Sequence, residues 1–291
     1  MQVQKGLAAI VAPCAGRLLT AIARAQQRAD AVTLHRMRVC ARRLRAALSI
    51  LRGVLPSGER KRLRSGLRWL IHQTGPARDW DVLVGETLHG PARHGTRPDV
   101  QAILDAAAVR QARARRRAMA ALAGTKCARL VSDVERLVSG CRRPGETMPW
   151  RGDARRWRRR DKPLHSLADA ALRKRHKKLC RLIAATDTLD RDGLHRLRIR
   201  IRMQRYTAEL AAVLYPRNAV ARYVSELKSL QRNLGAIHDL QMAQTLISGL
   251  TAVSRQGVRR LELQCAARLA GQESRLKEFG PDAAMLKPFW D

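Results

Sequence analysis

The chain is written twice. The stretch LHRMRVCARRLRAAL, Leu34 to Leu48, returns as LHRLRIRIRMQRYTAEL, Leu194 to Leu210. The offset is a constant 160 residues without gaps: His35 maps to His195, Arg38 to Arg198, Arg42 to Arg202, Arg45 to Arg205, Pro56 to Pro216, Leu67 to Leu227, Leu70 to Leu230, Gly75 to Gly235 and Asp79 to Asp239. Repeats of this length are duplicated subdomains rather than solenoid units, so two related helical bundles packed against each other are predicted.

Each copy reads as helix. Apolar residues recur at intervals of three and four through 7–25, 34–51, 63–71, 100–122, 130–138, 164–183, 194–214, 223–234 and 258–269, and nothing alternates like a strand. The predicted fold class is all-α. Breakers fall between these runs, at Pro56 with Gly58, Gly75 with Pro76, Gly90 with Pro91, Gly140 with Pro144 and Gly145, Pro216, Gly235 and Gly249. Residues 146–163 are rich in Arg, Gly and Pro and carry no apolar stripe. They read as a basic linker between a first half, 1–145, and a second, 164–291.

The repeated helix carries two stripes. Met37, Ala41, Leu44, Leu48 and Leu51 follow at four and three and form the core side, as do Leu197, Ile201, Ala208 and Ala211 in the second copy. On another side stand His35, Arg38, Arg42 and Arg45, answered by His195, Arg198, Arg202 and Arg205. A solvated face mixes signs, because like charges at that spacing destabilise a helix, yet these stripes meet no acid before Glu209. Arginine's planar fork grips phosphate oxygens in pairs. Two such ladders facing each other form a cationic trough. Its partner is polyanionic: Lys+Arg of 58 against Asp+Glu of 24 leaves a formal charge of +34. Nucleic acid, an anionic membrane surface and a phosphate polymer all satisfy that sign.

Other classes lose ground. Aromatic content of 3% argues against a binder that stacks single-stranded bases. The six cysteines are scattered, without a C-x-x-C pair or zinc spacing, and read as reduced cytosolic thiols. The apolar run 7–25 is interrupted by Pro13, Arg17 and Arg24, so no membrane span or secretory signal is expected. Asp79 and Asp81 could suggest acid–base work, but a separation of two directs them about 200° apart on a helix. Asp79 and Asp239 are expected to be structural, capping the following helix and orienting an arginine. The histidines, set among arginines, are expected to be neutral. No metal, cofactor or catalytic residue is predicted.

The two ladders, with LIHQTGPARDWDVL after the first and LQRNLGAIHDLQMA after the second, resemble the CHAD domain, the conserved-histidine α-helical domain. The resemblance spans nearly the whole chain, from the first helix near Leu7 to LKPFW, Leu286 to Trp290. It implies a pair of four-helix bundles about an approximate two-fold axis, with a basic central cavity that binds long-chain inorganic polyphosphate, and localisation to polyphosphate granules. The family's histidine and basic positions carry over onto the two ladders just named. Arg68 and its counterpart Lys228 are expected beside the trough, and Arg113, Lys174 and Lys178 stand at helical spacing, the last two resembling family positions that face the cavity. The copies differ: Arg43 corresponds to Met203, and Arg78, Trp80 and Asp81 become His238, Leu240 and Gln241. The E-x-E-x-K motif of the phosphohydrolase domain often joined to this family does not occur, so binding without catalysis is expected. Two alternatives stay open, a nucleic-acid-binding helical protein and a polyphosphate-metabolising enzyme.

Overall fold

A computed structural model describes residues 7–50, 52, 54–88, 98–142, 163–251, 253–283 and 286–290. A π-helical turn (Leu7–Val11) leads into α1 (Ala12–Gln27), followed by α2 (Ala31–Ile50), α3 (Ser57–Gln73) and the short α4 (Gly75–Val82), which continues into a second π turn (Leu83–Thr87). Then come α5 (Pro98–Ala123) and α6 (Thr125–Arg142). The second half holds α7 (Leu164–Ala184), α8 (Arg191–Ala211), α9 (Arg217–Ser248) and α10 (Arg255–Ala283). Among the described residues no strand forms, and the fold is all-α. The expected linker lies outside the described residues except for Pro163, as do Gly90, Pro91 and Leu51.

α2 and α8 are the repeated helices, and both begin in the same way. The Thr33 backbone N–H donates to Asp30 Oδ1 at 2.8 Å, and the Gly193 N–H donates to Asp190 Oδ1 at 2.7 Å. Each aspartate satisfies an amide left open at the helix start. The pair is again 160 residues apart, so the duplication reaches back to the caps. Met37, Ala41, Leu44 and Leu48 are fully buried on α2, and Leu197, Ile201, Ala208 and Ala211 on α8. Burying each large side chain of these stripes contributes about 1.5–3 kcal/mol. α2 packs on α1 and α3 and also on α7 and α8, so it is the joint between the halves.

The copies diverge after Leu70 and Leu230. In the first, α3 ends at Gln73 and α4 starts afresh at Gly75. Pro76 lacks an amide proton and disfavours helical backbone at the residue before it, so the helix breaks. In the second, Ala236 stands at the equivalent position and α9 runs unbroken through Gly235 for 32 residues. The break expected at Gly235 is therefore absent: a lone glycine costs a helix only about 1 kcal/mol. α6 likewise runs through Gly140.

Nor does each half close its own core. Leu164 and Leu167 of α7 join the first-half cluster, and Ile50 of α2 joins the second. A third cluster packs Leu83, Leu88, Ile103 and Ala107 of the first half against Leu240, Ile247, Leu261 and Cys265 of α9 and α10. The tail returns to the second cluster, where Leu286 and Trp290 are buried and the Trp290 ring meets Tyr223 edge-on at 5.2 Å.

Candidate functional site

The contact between α2 and α8 brings the two basic stripes together. Arg38 is buried, and Arg42, Arg45, Arg198, Arg202 and Arg205 are half-buried. Arg38 lies within electrostatic reach of Arg42, Arg78 and Arg198, and Arg202 within reach of Arg198, Arg42 and Arg38. The two rows thus meet where α2 and α8 touch. Desolvation first, and the neighbouring positive charges after it, pull Arg38 down to about 10 and Arg202 to about 9. Both keep their charge at neutral pH, so like charges repel where the two rows meet. The Nε atoms of Arg38, Arg45 and Arg198 are buried without hydrogen-bond partners. Arg38 Nη1, by contrast, donates to the Ile71 carbonyl and reaches Thr74 Oγ1 at 3.4 Å, tying α2 to the α3–α4 break.

His35 and His195 stand at the head of the rows with their side chains in contact with solvent. Both titrate below the usual imidazole range, through desolvation by burial and then through nearby arginines: Arg78, Arg42 and Arg38 for His35, Arg198 and Arg202 for His195. The His195 ring lies 5.2 Å from that of His238, whose burial, with Arg198 beside it, holds it down to about 3. Arg78 takes the equivalent place next to His35. The signal for Arg78 and His238 was in the sequence, since they are 160 residues apart and adjoin the repeated aspartates.

Asp79 and Asp239 do not cap helices. Asp79 sits inside α4 and Asp239 inside α9, because the α3–α4 break falls further upstream and α9 has none. Desolvation raises both carboxyl pKa values, while Arg38 and Arg198 pull Asp79 down and Arg198, 3.8 Å away, does the same to Asp239. Asp81 turns the other way, accepting from Arg115 at 2.6 Å and from Gln111 at 2.9 Å.

The fourth rungs are unequal. Arg205 donates to Glu209 Oε1 at 2.6 Å and to Gln231 Oε1 at 2.9 Å, and lies over the Tyr206 ring at 4.6 Å. Its charge is committed. Glu209 also sits 2.9 Å from Arg43 of α2, off the hydrogen-bonding direction, so one carboxylate bridges the two halves. Arg45 faces Arg64, Arg68 and Arg42 instead. Tyr206, buried with Arg43 of α2 over its ring at 5.7 Å and Arg205 of α8 at 4.6 Å, is a central contact that the repeat concealed, since Ala46 occupies the equivalent position.

The remaining predicted cations fall elsewhere. Arg68, Lys174 and Lys178 line a separate cleft between α3 and α7, while Lys228 and Arg113 are exposed on α9 and α5. No group of three or more His, Cys, Asp or Glu side chains suited to a metal occurs among the described residues. Among them, too, no helix is long and apolar enough to cross a membrane.

The all-α fold of the described residues has counterparts among known proteins. A family model for the CHAD domain matches residues 9–248, and the chain belongs to that family. The fold is similar to the crystal structure of the CHAD domain from the plant Ricinus communis, with a TM-score of 0.76 and 24% identity over 99% of this chain and 93% of that one. It is also similar to PptA from Streptomyces chartreusis, with a TM-score of 0.66 and 17% identity over 99% and 100%. No curated protein matches the chain.

Proposed function

We propose that the chain binds long-chain inorganic polyphosphate along the groove between α2 and α8 and holds it without cleaving it. The observation that carries this reading is the convergence of Arg38, Arg42, Arg198 and Arg202 from both halves on one joint, with guanidinium nitrogens left unsatisfied. Membership of the CHAD family supports it. Along each row, residues seven apart rise about 10 Å on one face, so successive phosphates of a linear polymer meet successive guanidiniums. Charge-assisted hydrogen bonds contribute about 1.5–3 kcal/mol each, and counterion release adds a term that falls steeply with salt. The divergence of Asp79 and Asp81 supports holding over catalysis, as Asp81 is engaged by Arg115 and Gln111. Such binding brings the protein to polyphosphate granules in the cytoplasm.

Competition tests the ligand. With labelled long-chain polyphosphate on the protein, duplex DNA at equal phosphate concentration and equal salt is expected to leave the label in place. Displacement by DNA at comparable concentration overturns the assignment in favour of nucleic acid, and shortened chains after incubation with magnesium or manganese overturn it in favour of an enzyme.

The histidines add a pH signature. His35, His195 and His238 have lowered pKa values in the free protein, and bound phosphate raises them. A group whose pKa rises on binding strengthens the complex at low pH, and that gain is lost as pH climbs through the bound-state value. Affinity is therefore expected to increase from pH 8 to pH 6, with protons taken up. Calorimetry at pH 6 in two buffers of different ionisation enthalpy measures the uptake. Equal enthalpies in both buffers, or an uptake that persists after replacing all three histidines by asparagine, count against the histidine-headed groove.

A further inference from the structure

At the far end of the α2 ladder, α3 and α7 enclose a cleft of about 910 Å³. Arg60, Arg64 and Arg68 enter it from α3, and Lys174, Arg175 and Lys178 from α7. The charges come from both halves of the chain, and no carboxylate occurs among the described residues that line it. Arg175 donates to the neutral Ser49 hydroxyl at 2.6 Å, and Arg60 Nε is buried without a hydrogen-bond partner. Like charges drawn into a concave surface repel in the absence of an anion.

Two observations set this cleft apart from an ordinary solvated face. The first is the duplication. At the offset of 160, Arg60 and Arg64 correspond to Val220 and Val224, which are buried in the second-half core with Leu286 and Trp290. The copy that could have kept the same surface covers it with the tail, and the first half leaves it open and cationic. The second is continuity. Arg45 neighbours Arg42 on the ladder side and Arg64 and Arg68 on the cleft side, while Arg175 neighbours Arg64, Arg200 and Arg45. A run of positive charge thus leads out of the groove and into the cleft. At the histidine end, by contrast, Asp79, Asp239 and Glu86 bring negative charge among the described residues.

We propose that the cleft between α3 and α7 is a second polyanion site, taking the part of a linear phosphate polymer that runs on past Arg45, and that it sets the chain length at which binding becomes tight. The proposal rests on the groove being a polyphosphate site. A short chain fills the rows, which advance only about 10 Å from Arg38 to Arg45. A longer chain is delivered to the cleft by the segment already held, so the second contact forms at high effective concentration.

Polyphosphates of graded length, from tripolyphosphate upward, titrated against three proteins at one salt concentration decide the matter. The cleft variant carries Arg60→Gln, Arg64→Gln and Lys178→Gln. A charge-matched control carries Arg116→Gln, Arg129→Gln and Arg259→Gln, all at exposed positions. In the unaltered chain affinity is expected to climb with length and then level off. The cleft variant is expected to bind the shortest chains within about twofold of the unaltered protein and the longest more than about tenfold more weakly, while the control loses the same small factor at every length. A cleft variant that tracks the control overturns the cleft and leaves the groove standing. Failure of the unaltered chain to bind at any length overturns the groove, and the cleft with it.

Discussion

Glutamine at positions 42, 198 and 202 together is expected to weaken long-chain polyphosphate binding by at least about a hundredfold and to raise the melting temperature of the unliganded protein. Three charge-assisted hydrogen bonds at about 1.5–3 kcal/mol each exceed the roughly 2.7 kcal/mol that a hundredfold requires, even when neighbouring losses add incompletely. The gain in stability comes from the same atoms. Arg42, Arg198 and Arg202 are desolvated beside one another, and Arg202 is held down to about 9 by burial and by Arg198, Arg42 and Arg38. Glutamine keeps most of the stem and removes the repulsion. Arg38 stays unchanged in this variant because its guanidinium also serves the Ile71 carbonyl and Thr74. Calorimetric titration and a thermal melt read both effects. Unaltered affinity moves the polymer off the α2–α8 groove, and a lower melting temperature makes these guanidiniums part of the scaffold.

The opposite sign is expected at Glu209. Glu209→Gln leaves Arg43 of α2 and Arg205 of α8 without the carboxylate they share. The three side chains are half-buried and glutamine can still accept from Arg205, so the cost lies between that of an exposed pair and that of a buried one, about 1–2 kcal/mol. For a chain of this size that lowers the melting temperature by roughly 2–6 °C. Long-chain polyphosphate is expected to restore part of the loss, since it supplies negative charge to the same joint. A melt within about a degree of the unaltered protein shows that Glu209 does not hold the halves together.

Much of this arrangement was legible in the residues. The offset of 160 identified the repeated helix, its core stripe and its basic stripe, and α2 and α8 place those stripes as the spacing demands. What periodicity conveys is which side of a helix a residue occupies. It does not convey which helix comes to meet that side. Arg205 matched Arg45 in sequence, yet Glu209, Gln231 and Tyr206 engage it, and their first-half counterparts are Ser49, Ile71 and Ala46. Asp79 looked like a cap because a glycine preceded it, but the break, at Thr74, sits five residues upstream. The α3–α7 cleft was only half visible: Arg68, Lys174 and Lys178 were singled out, but nothing in the spacing marked Arg60 and Arg175, which share the cleft only through the placing of α7 opposite α3. The third core cluster had no signal, since it joins residues more than a hundred positions apart.

The α3–α4 break has a mechanical meaning for the groove. Its wall in the second half is one rigid rod, α9, continuous past His238 and Asp239. Its wall in the first half is jointed at Thr74, and the bond that steadies the joint comes from a groove arginine, Arg38. The bond from Arg38 thus couples the α2 ladder to the α3–α4 joint, whereas the α8 ladder stands beside an unbroken helix, so the two copies of the repeat differ in continuity at the same position.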